Sequence, residues 1–199
     1  MSPDAGAPAA PHNVADPFEL LKSIDLSSID KQTLGDLRTD HAGETGAVFI
    51  YRGILAISRE EKVRAFSEEH LATESEHLAL VEAILPPGQR SRLIPIWRIA
   101  GWLTGALPAL FGPRAVFKTI EAVETFVDVH YQEQIDYLSD KPQHAALTSL
   151  LKICQADEVH HRDEARAFAG GDSAGPFMSL WAWLVGAGSK AAVGAARVI

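Results

Sequence analysis

From residue 34 onward, apolar positions recur every three or four residues, the period of a helix that buries one face, and strand-like alternation is almost absent. The pattern breaks at Pro86-Pro87-Gly88, Gly112-Pro113, Lys141-Pro142 and Gly170-Gly171. It predicts four long helices, roughly 34–63, 66–85, 114–139 and 143–169. An apolar insert, 90–112, separates the second from the third, and one more helix near 177–198 follows the fourth. The expectation is an all-α chain with a single domain over 34–199. The preceding arm, 1–33, is rich in Ala, Pro, Asp and Ser and reads as flexible, without chemistry of its own.

The two halves echo each other. Glu44-Thr45 is followed by Tyr51 and Glu124-Thr125 by Tyr131, each seven residues after its glutamate, and each half then supplies a Glu-x-x-His, Glu74–His77 and Glu158–His161. Residues three or four apart share a helix face, and on that count every one of these glutamates sits in the middle of an apolar stripe. Phe66, Val81 and Leu85 flank Glu74; Leu151, Cys154 and Phe168 flank Glu158. An ionised carboxylate facing a core is costly unless a cation sits beside it, and no Lys or Arg is placed on those faces to serve. Two divalent metal ions would balance four carboxylates and leave two imidazoles as further ligands. Oxygen and nitrogen donors without thiolate suit iron or manganese. A lone Glu-x-x-His is ordinarily solvated surface; two of them alternating with two core-facing glutamates are not. One Glu from each of two helices and Glu-x-x-His from each of the other two is the arrangement of ferritin-like carboxylate bundles. The candidate ligands are therefore Glu44, Glu74, His77, Glu124, Glu158 and His161.

Other polar residues change this picture less. Asp128 lies one turn from Glu124 and is placed to hydrogen-bond a ligand imidazole. Tyr51 and Tyr131 form a symmetric pair beside the cluster, suited to packing or to carrying protons or electrons. His41 and His70 read as core residues or supports of the ligands, and His130 and His160 as surface residues or such supports. Cys154 reads as a small buried filler. No Gly-rich phosphate loop or catalytic triad stands out.

Composition adds limits. With 47% hydrophobic and 22% charged residues the chain has a globular balance, which excludes disorder for most of it. One cysteine excludes an internal disulfide and a thiolate zinc site, and a reducing setting is the default. The first arginine is Arg38 and no apolar run opens the chain, so neither a transit nor a signal peptide is expected. The net charge of −8 is unevenly spread. Pro86 to Thr119 holds no acid but Arg90, Arg92, Arg98, Arg114 and Lys118, and Ser173 to Ile199 holds only Lys190 and Arg197. All four tryptophans lie in these two stretches. Both are too short or too interrupted to cross a bilayer, and both suit helices lying at its surface, with Trp97, Arg98, Trp102, Trp181 and Trp183 as lipid contacts. The rival uses of the same surface are a hairpin dipping into the bilayer or a homo-oligomer interface.

The residues around these ligands resemble the demethoxyubiquinone hydroxylase family of quinone biosynthesis. The resembling segments are Arg38-Thr-Asp-His-Ala-Gly-Glu44, Glu74-Ser-Glu-His77-Leu78, Leu93-Ile-Pro95-Ile-Trp97 with the apolar insert, Ala122-Val-Glu124, His130-Tyr131, Gln134-Ile135 and Asp157-Glu158-Val-His-His161. They run from about residue 34 to the end. The resemblance implies a ferritin-like four-helix bundle with an amphipathic insert between its second and third helices and an additional C-terminal helix. It implies two iron ions on the six ligands, with Glu74 and Glu158 bridging, and His130-Tyr131 near the site. The implied activity inserts one oxygen atom of dioxygen into a ring C–H bond of a polyprenylated demethoxyubiquinol, with NADH as electron source. The implied place is the cytoplasmic face of a bacterial-type membrane, peripheral, with room for a lipid-binding or quinone-biosynthesis partner protein and no nucleic acid. The alternatives sharing this ligand set are a tRNA-modifying hydroxylase, which the acidic bundle disfavours, and iron storage or peroxide defence.

Overall fold

The structure, a computed structural model, describes residues 16–170 and 176–198. Among the described residues the regular elements are helices, and they run α1 (Pro17–Leu21), α2 (Lys31–Ile57), α3 (Glu61–Ile84), α4 (Ile94–Ala109), α5 (Pro113–Leu138), α6 (Ala145–Phe168) and α7 (Pro176–Val198). Helices α2 and α3 form one hairpin and α5 and α6 the other, and the hairpins face each other across their side chains. The all-α architecture is the one the periodicity predicts.

Local chemistry sets the ends. Asp30 caps α2 by accepting the Thr33 N–H at 2.8 Å, and its other oxygen takes Lys141 Nζ at 2.7 Å and the Tyr137 hydroxyl at 3.0 Å. Gly112 takes φ +94° and Pro113 opens α5, a turn that a side chain at 112 would strain. The expected first helix, 34–63, is in fact broken at Ser58–Glu60, with Ser58 at φ −67°, ψ 137°. No Gly or Pro marks that break; the hairpin forms because the apolar faces on either side pack together, so tertiary contact overrides local propensity. Residues 17–29, which the sequence assigns to a loose arm, form α1 and a 3₁₀ turn at Leu26–Ser28, and Leu20, Leu21, Ile24 and Ile29 pack against the core. Residues 1–15 of that arm lie outside the described residues.

Two apolar clusters fill the bundle. One, around Leu37, Leu80, Leu85, Tyr131, Leu147 and Cys154, occupies the end near α1; the other, around Tyr51, Ile54, Phe66, Phe117, Ile120 and Ala165, occupies the opposite end. The apolar stripes of α2, α3, α5 and α6 contribute to both, and the candidate ligands lie between them.

Helices α4 and α7 are laid on the outside, α4 along α2 and α7 along α5 and α2. Glycines bring α4 close. A Cβ at Gly101 would run into the Gly46 carbonyl, one at Gly105 into that of Ile50, and one at Gly53 into that of Trp102. Outward from this seam α4 exposes Ile96, Ile99, Leu103 and Leu107, and α7 exposes Leu180, Trp183 and Leu184. Among the described residues no helix is long and apolar enough to cross a membrane.

Candidate metal centre

All six candidate ligands are at most 4% exposed. Glu44 comes from α2, Glu74 and His77 from α3, Glu124 from α5, and Glu158 and His161 from α6. They fall into two overlapping groups, Glu44–Glu74–His77–Glu158 and Glu74–Glu124–Glu158–His161, each with one donor atom per residue inside 4.8 Å of the others. Glu74 and Glu158 belong to both groups. Both histidines turn Nδ1 inward: His77 Nδ1 lies 3.0 Å from Glu158 and 3.9 Å from Glu44, and His161 Nδ1 lies 3.2 Å from Glu74 and 3.4 Å from Glu158.

Electrostatics makes this an unstable arrangement for bare carboxylates. Burial, then the neighbouring Glu74 charge, pushes the Glu44 carboxyl well above its usual range, and burial with Glu158 and Glu74 does the same to Glu124. Burial works against an ionised Glu158, but the His161 and His77 imidazoles facing it outweigh that and bring the carboxyl to about 2. Burial likewise opposes a charged His161, and the Glu158 and Glu74 carboxylates beside it raise it to about 9. Buried polar atoms are nevertheless left over: the 3.2 and 3.4 Å contacts of His161 Nδ1 with Glu74 and Glu158 are charge pairs without hydrogen-bond alignment, and Glu44 Oε2, both oxygens of Glu74 and Glu158 Oε2 likewise lack an aligned donor. Among the described residues, the ion-pair partners of these carboxylates are His77 and His161. A pair of divalent cations satisfies the orphaned oxygens and the inward Nδ1 atoms together, so the residues present fit that group.

The surroundings partly depart from the sequence expectation. Asp128 does not reach a ligand imidazole; it takes the Arg162 guanidinium at 2.6 Å and the Gln155 amide at 2.9 Å. Asp157 fills that place, with Oδ2 3.1 Å from His77 Nε2. The residue before a ligand on α6 faces α3, whereas a residue one turn from Glu124 on α5 faces α6's outer side. The adjacency of Asp157 to the Glu158 motif was the available signal. Tyr131 donates its hydroxyl to Glu44 Oε1 at 2.5 Å, so the tyrosine of one half supports the glutamate of the other. Tyr51 is fully buried, its hydroxyl without a partner, and burial together with the Glu124 charge holds its pKa well above the usual value. His41 meets Glu82 at 3.2 Å and His70 meets Glu164 at 2.8 Å, and neither histidine belongs to the two ligand groups. His160 is exposed and Cys154 is buried filler.

The centre is the floor of a cavity of about 360 Å³. Glu44, Glu74, Glu124 and Glu158 reach it, α4 and α7 wall it, and His130 and Tyr131 line it from α5. Trp97 and Trp181, expected at lipid, also line this cavity, and Trp181 Nε1 donates to Thr119 Oγ1 at 2.8 Å. Trp102 and Trp183 do face outward, and Arg98 is exposed with its guanidinium over the Phe49 ring. An amphipathic helix has two faces, and periodicity alone does not say which tryptophan takes which. Lys118 likewise is buried against Glu121 at 2.8 Å instead of reaching out to an anionic surface.

A family model described as ubiquinone biosynthesis protein COQ7 matches residues 32–196. The chain belongs to that family. Among curated COQ7 relatives, a 3-demethoxyubiquinol 3-hydroxylase of Rhodospirillum rubrum is 34% identical over 161 residues, 79% of this chain and 74% of the relative. A Caenorhabditis elegans protein named NADPH-dependent 3-demethoxyubiquinone 3-hydroxylase is 30% identical over 167 residues, 82% of this chain and 88% of the relative. A Dictyostelium discoideum protein of the same name is 35% identical over 146 residues, 68% and 67% of the two chains. The COQ7 match begins at α2 and ends in α7, so it takes in the four ligand helices and both helices that wall the cavity.

Proposed function

We propose that this chain is a di-iron monooxygenase that hydroxylates the ring of a polyprenylated demethoxyubiquinol in ubiquinone biosynthesis. The observation that carries the reading is one of continuity. A carboxylate–histidine cluster lies at the floor of an apolar cavity, and the walls of that cavity are two helices with exposed apolar outer faces. Glu44, Glu74, His77, Glu124, Glu158 and His161 would hold two iron ions, with Glu74 and Glu158 shared. Iron bound there supplies the redox chemistry by which dioxygen gives one oxygen atom to the ring and one to water.

The chain's own contribution is placement. Asp157 holds His77 by Nε2 so that Nδ1 faces the cluster, and Tyr131 orients Glu44. The aromatic cluster of Tyr51, Phe66, Phe117 and Phe168 seals the end away from α1 against water. The cavity walls admit a ring from the α4–α7 side, while a prenyl tail remains against the apolar surface outside. That surface rests on the membrane through Trp102, Trp183 and their aliphatic neighbours, with Arg98 beside them. The two electrons come from a nicotinamide cofactor: the sequence resemblance implies NADH, and the nematode and slime-mould relatives are named for NADPH.

The test is genetic and chemical. A strain lacking this protein accumulates demethoxyquinone; the wild-type chain clears it and Glu158→Ala does not. Normal quinone in the strain without it overturns the reading.

A further inference from the structure

Glycine inside a helix weakens it relative to alanine, so each helical glycine raises the question of what needs the missing Cβ. In α2, neighbours answer it for two. The Arg197 side chain lies 3.2 Å from where a Gly35 Cβ would be, and the Trp102 backbone fills that space at Gly53. A Cβ at Gly46 would meet nothing within 4 Å, but the Gly46 backbone is the surface on which Gly101 of α4 packs. Gly43 has no such neighbour. Nothing lies within 4 Å of a Cβ built there, yet the residue lines the cavity, directly before Glu44 and on the same helix face as Asp40 and Ala47.

Asp40 is a second and independent pointer to a ligand. Its side chain is 1% exposed and it lines the same cavity. Oδ1 accepts the Gln134 amide at 2.6 Å and faces His130 Nε2 at 3.4 Å, while Oδ2 has no partner. The Thr39 hydroxyl donates to the Asp36 carbonyl at 2.6 Å, so its oxygen must accept at 2.9 Å from His130 Nε2, which fixes that nitrogen as the protonated one. His130 therefore does not use up Oδ2. A buried carboxylate oxygen without a donor is a place for a hydroxyl group.

We infer that Gly43 is the seat of the substrate ring, and that Asp40 accepts a hydrogen bond from one of its hydroxyls. The inference rests on the ring-hydroxylation reading and makes it specific. The bare backbone at Gly43 lets a planar ring lie flat against α2 beside Glu44. Asp40 stands one helical turn, about 6 Å of rise, before Glu44, which is the scale of one six-membered ring with its oxygens. An acceptor at that point favours the hydroquinone, which has O–H groups to donate, over the quinone, which has none.

The test uses the full chain, loaded with redox-inert zinc and kept anaerobic, and follows quenching of the cavity tryptophans Trp97 and Trp181. The probes are a short-chain demethoxyquinone and its quinol, and a prenyl alcohol with the same tail and no ring, whose binding is read by titration calorimetry because it carries no quenching group. In Gly43→Ala, both ring compounds bind at least about tenfold more weakly, the effect of one intruding methyl group in a close-packed contact, and the prenyl alcohol binds as before. The same variant melts at a higher temperature than the wild type, because alanine favours the helix and meets no protein atom. Gly186→Ala, on α7 and outside the cavity lining, changes none of the binding constants. Asp40→Asn lowers the preference for quinol over quinone by at least about fivefold. Unchanged ring binding in Gly43→Ala, equal losses for ring and ring-less probes, or a lower melting temperature each overturn the ring seat. An unchanged quinol preference in Asp40→Asn overturns the role of Asp40. A wild-type chain that binds the prenyl alcohol but neither ring compound overturns the function proposed above as well.

Discussion

At the scale of single residues, the six ligands are poor company for one another without metal, and this has a measurable pH dependence. Glu44 and Glu124 have raised carboxyl pKa values, so the fold holds protons there that the unfolded chain would release, and the metal-free protein loses stability as pH rises above the ordinary carboxylate range. His161, raised to about 9, contributes stability that is complete below its ordinary value of 6.5 and is lost as pH rises through 9. Both effects have the same sign. The metal-free chain should therefore melt at progressively lower temperature between pH 6.5 and 9, and the metal-loaded chain should not, since metal replaces the protons. Thermal scans across that range with and without a divalent ion check this. Asp157 gives a second expectation. Asp157→Ala leaves all six ligands in place but frees His77 Nε2, and metal affinity should fall by roughly 10–100-fold in a competition titration.

At the scale of elements, the α2–α4 seam is the feature on which the cavity depends. The Gly105 Cβ position lies against the Ile50 carbonyl, a backbone atom that cannot swing away. Gly105→Ala must part the two helices, at a cost of about 1–3 kcal/mol, or a drop in melting temperature of roughly 2–10 °C. The contrast with Gly43, where alanine is expected to stabilise, separates glycines kept for packing from one kept for a ligand. The Glu-x-x-His motifs and the seven-residue Glu–Tyr spacing were legible in the chain because helical geometry fixes which residues share a face. The Ser58–Glu60 break was not legible, since its cause is the docking of α3 on α2 and no residue there forbids a helix. Asp157 was hidden for a related reason: its partner His77 is 80 positions away, and only the α3–α6 contact brings them together.

At the scale of the whole molecule, charge and apolar surface are segregated. The apolar faces of α4 and α7 lie on the side where the cavity meets its two walling helices, whereas α3 exposes Glu61, Glu68, Glu69 and Glu76. Binding to vesicles should follow the first face. Replacing Trp102, Leu107 and Trp183 together by Glu should cut co-sedimentation with anionic vesicles by tenfold or more, through lost apolar burial and repulsion from the headgroups. Metal content should stay unchanged, because these side chains point away from the cluster. Equal sedimentation of the variant and the wild type would remove membrane docking from the account.

The sequence alone determined the helical class, the six candidate ligands and the two basic, tryptophan-bearing stretches. Each of these depends on local periodicity or on charge that has nowhere else to go. The tertiary structure decided which residues meet across helices. It put Tyr131 on Glu44, Asp157 on His77, Lys118 on Glu121, and Trp97 and Trp181 inside the cavity while Trp102 and Trp183 face out. The physical reason is that a helix period names a face but not its neighbour. The neighbour is set by how closely two backbones can approach, and here the glycines of α2 and α4 fix that distance.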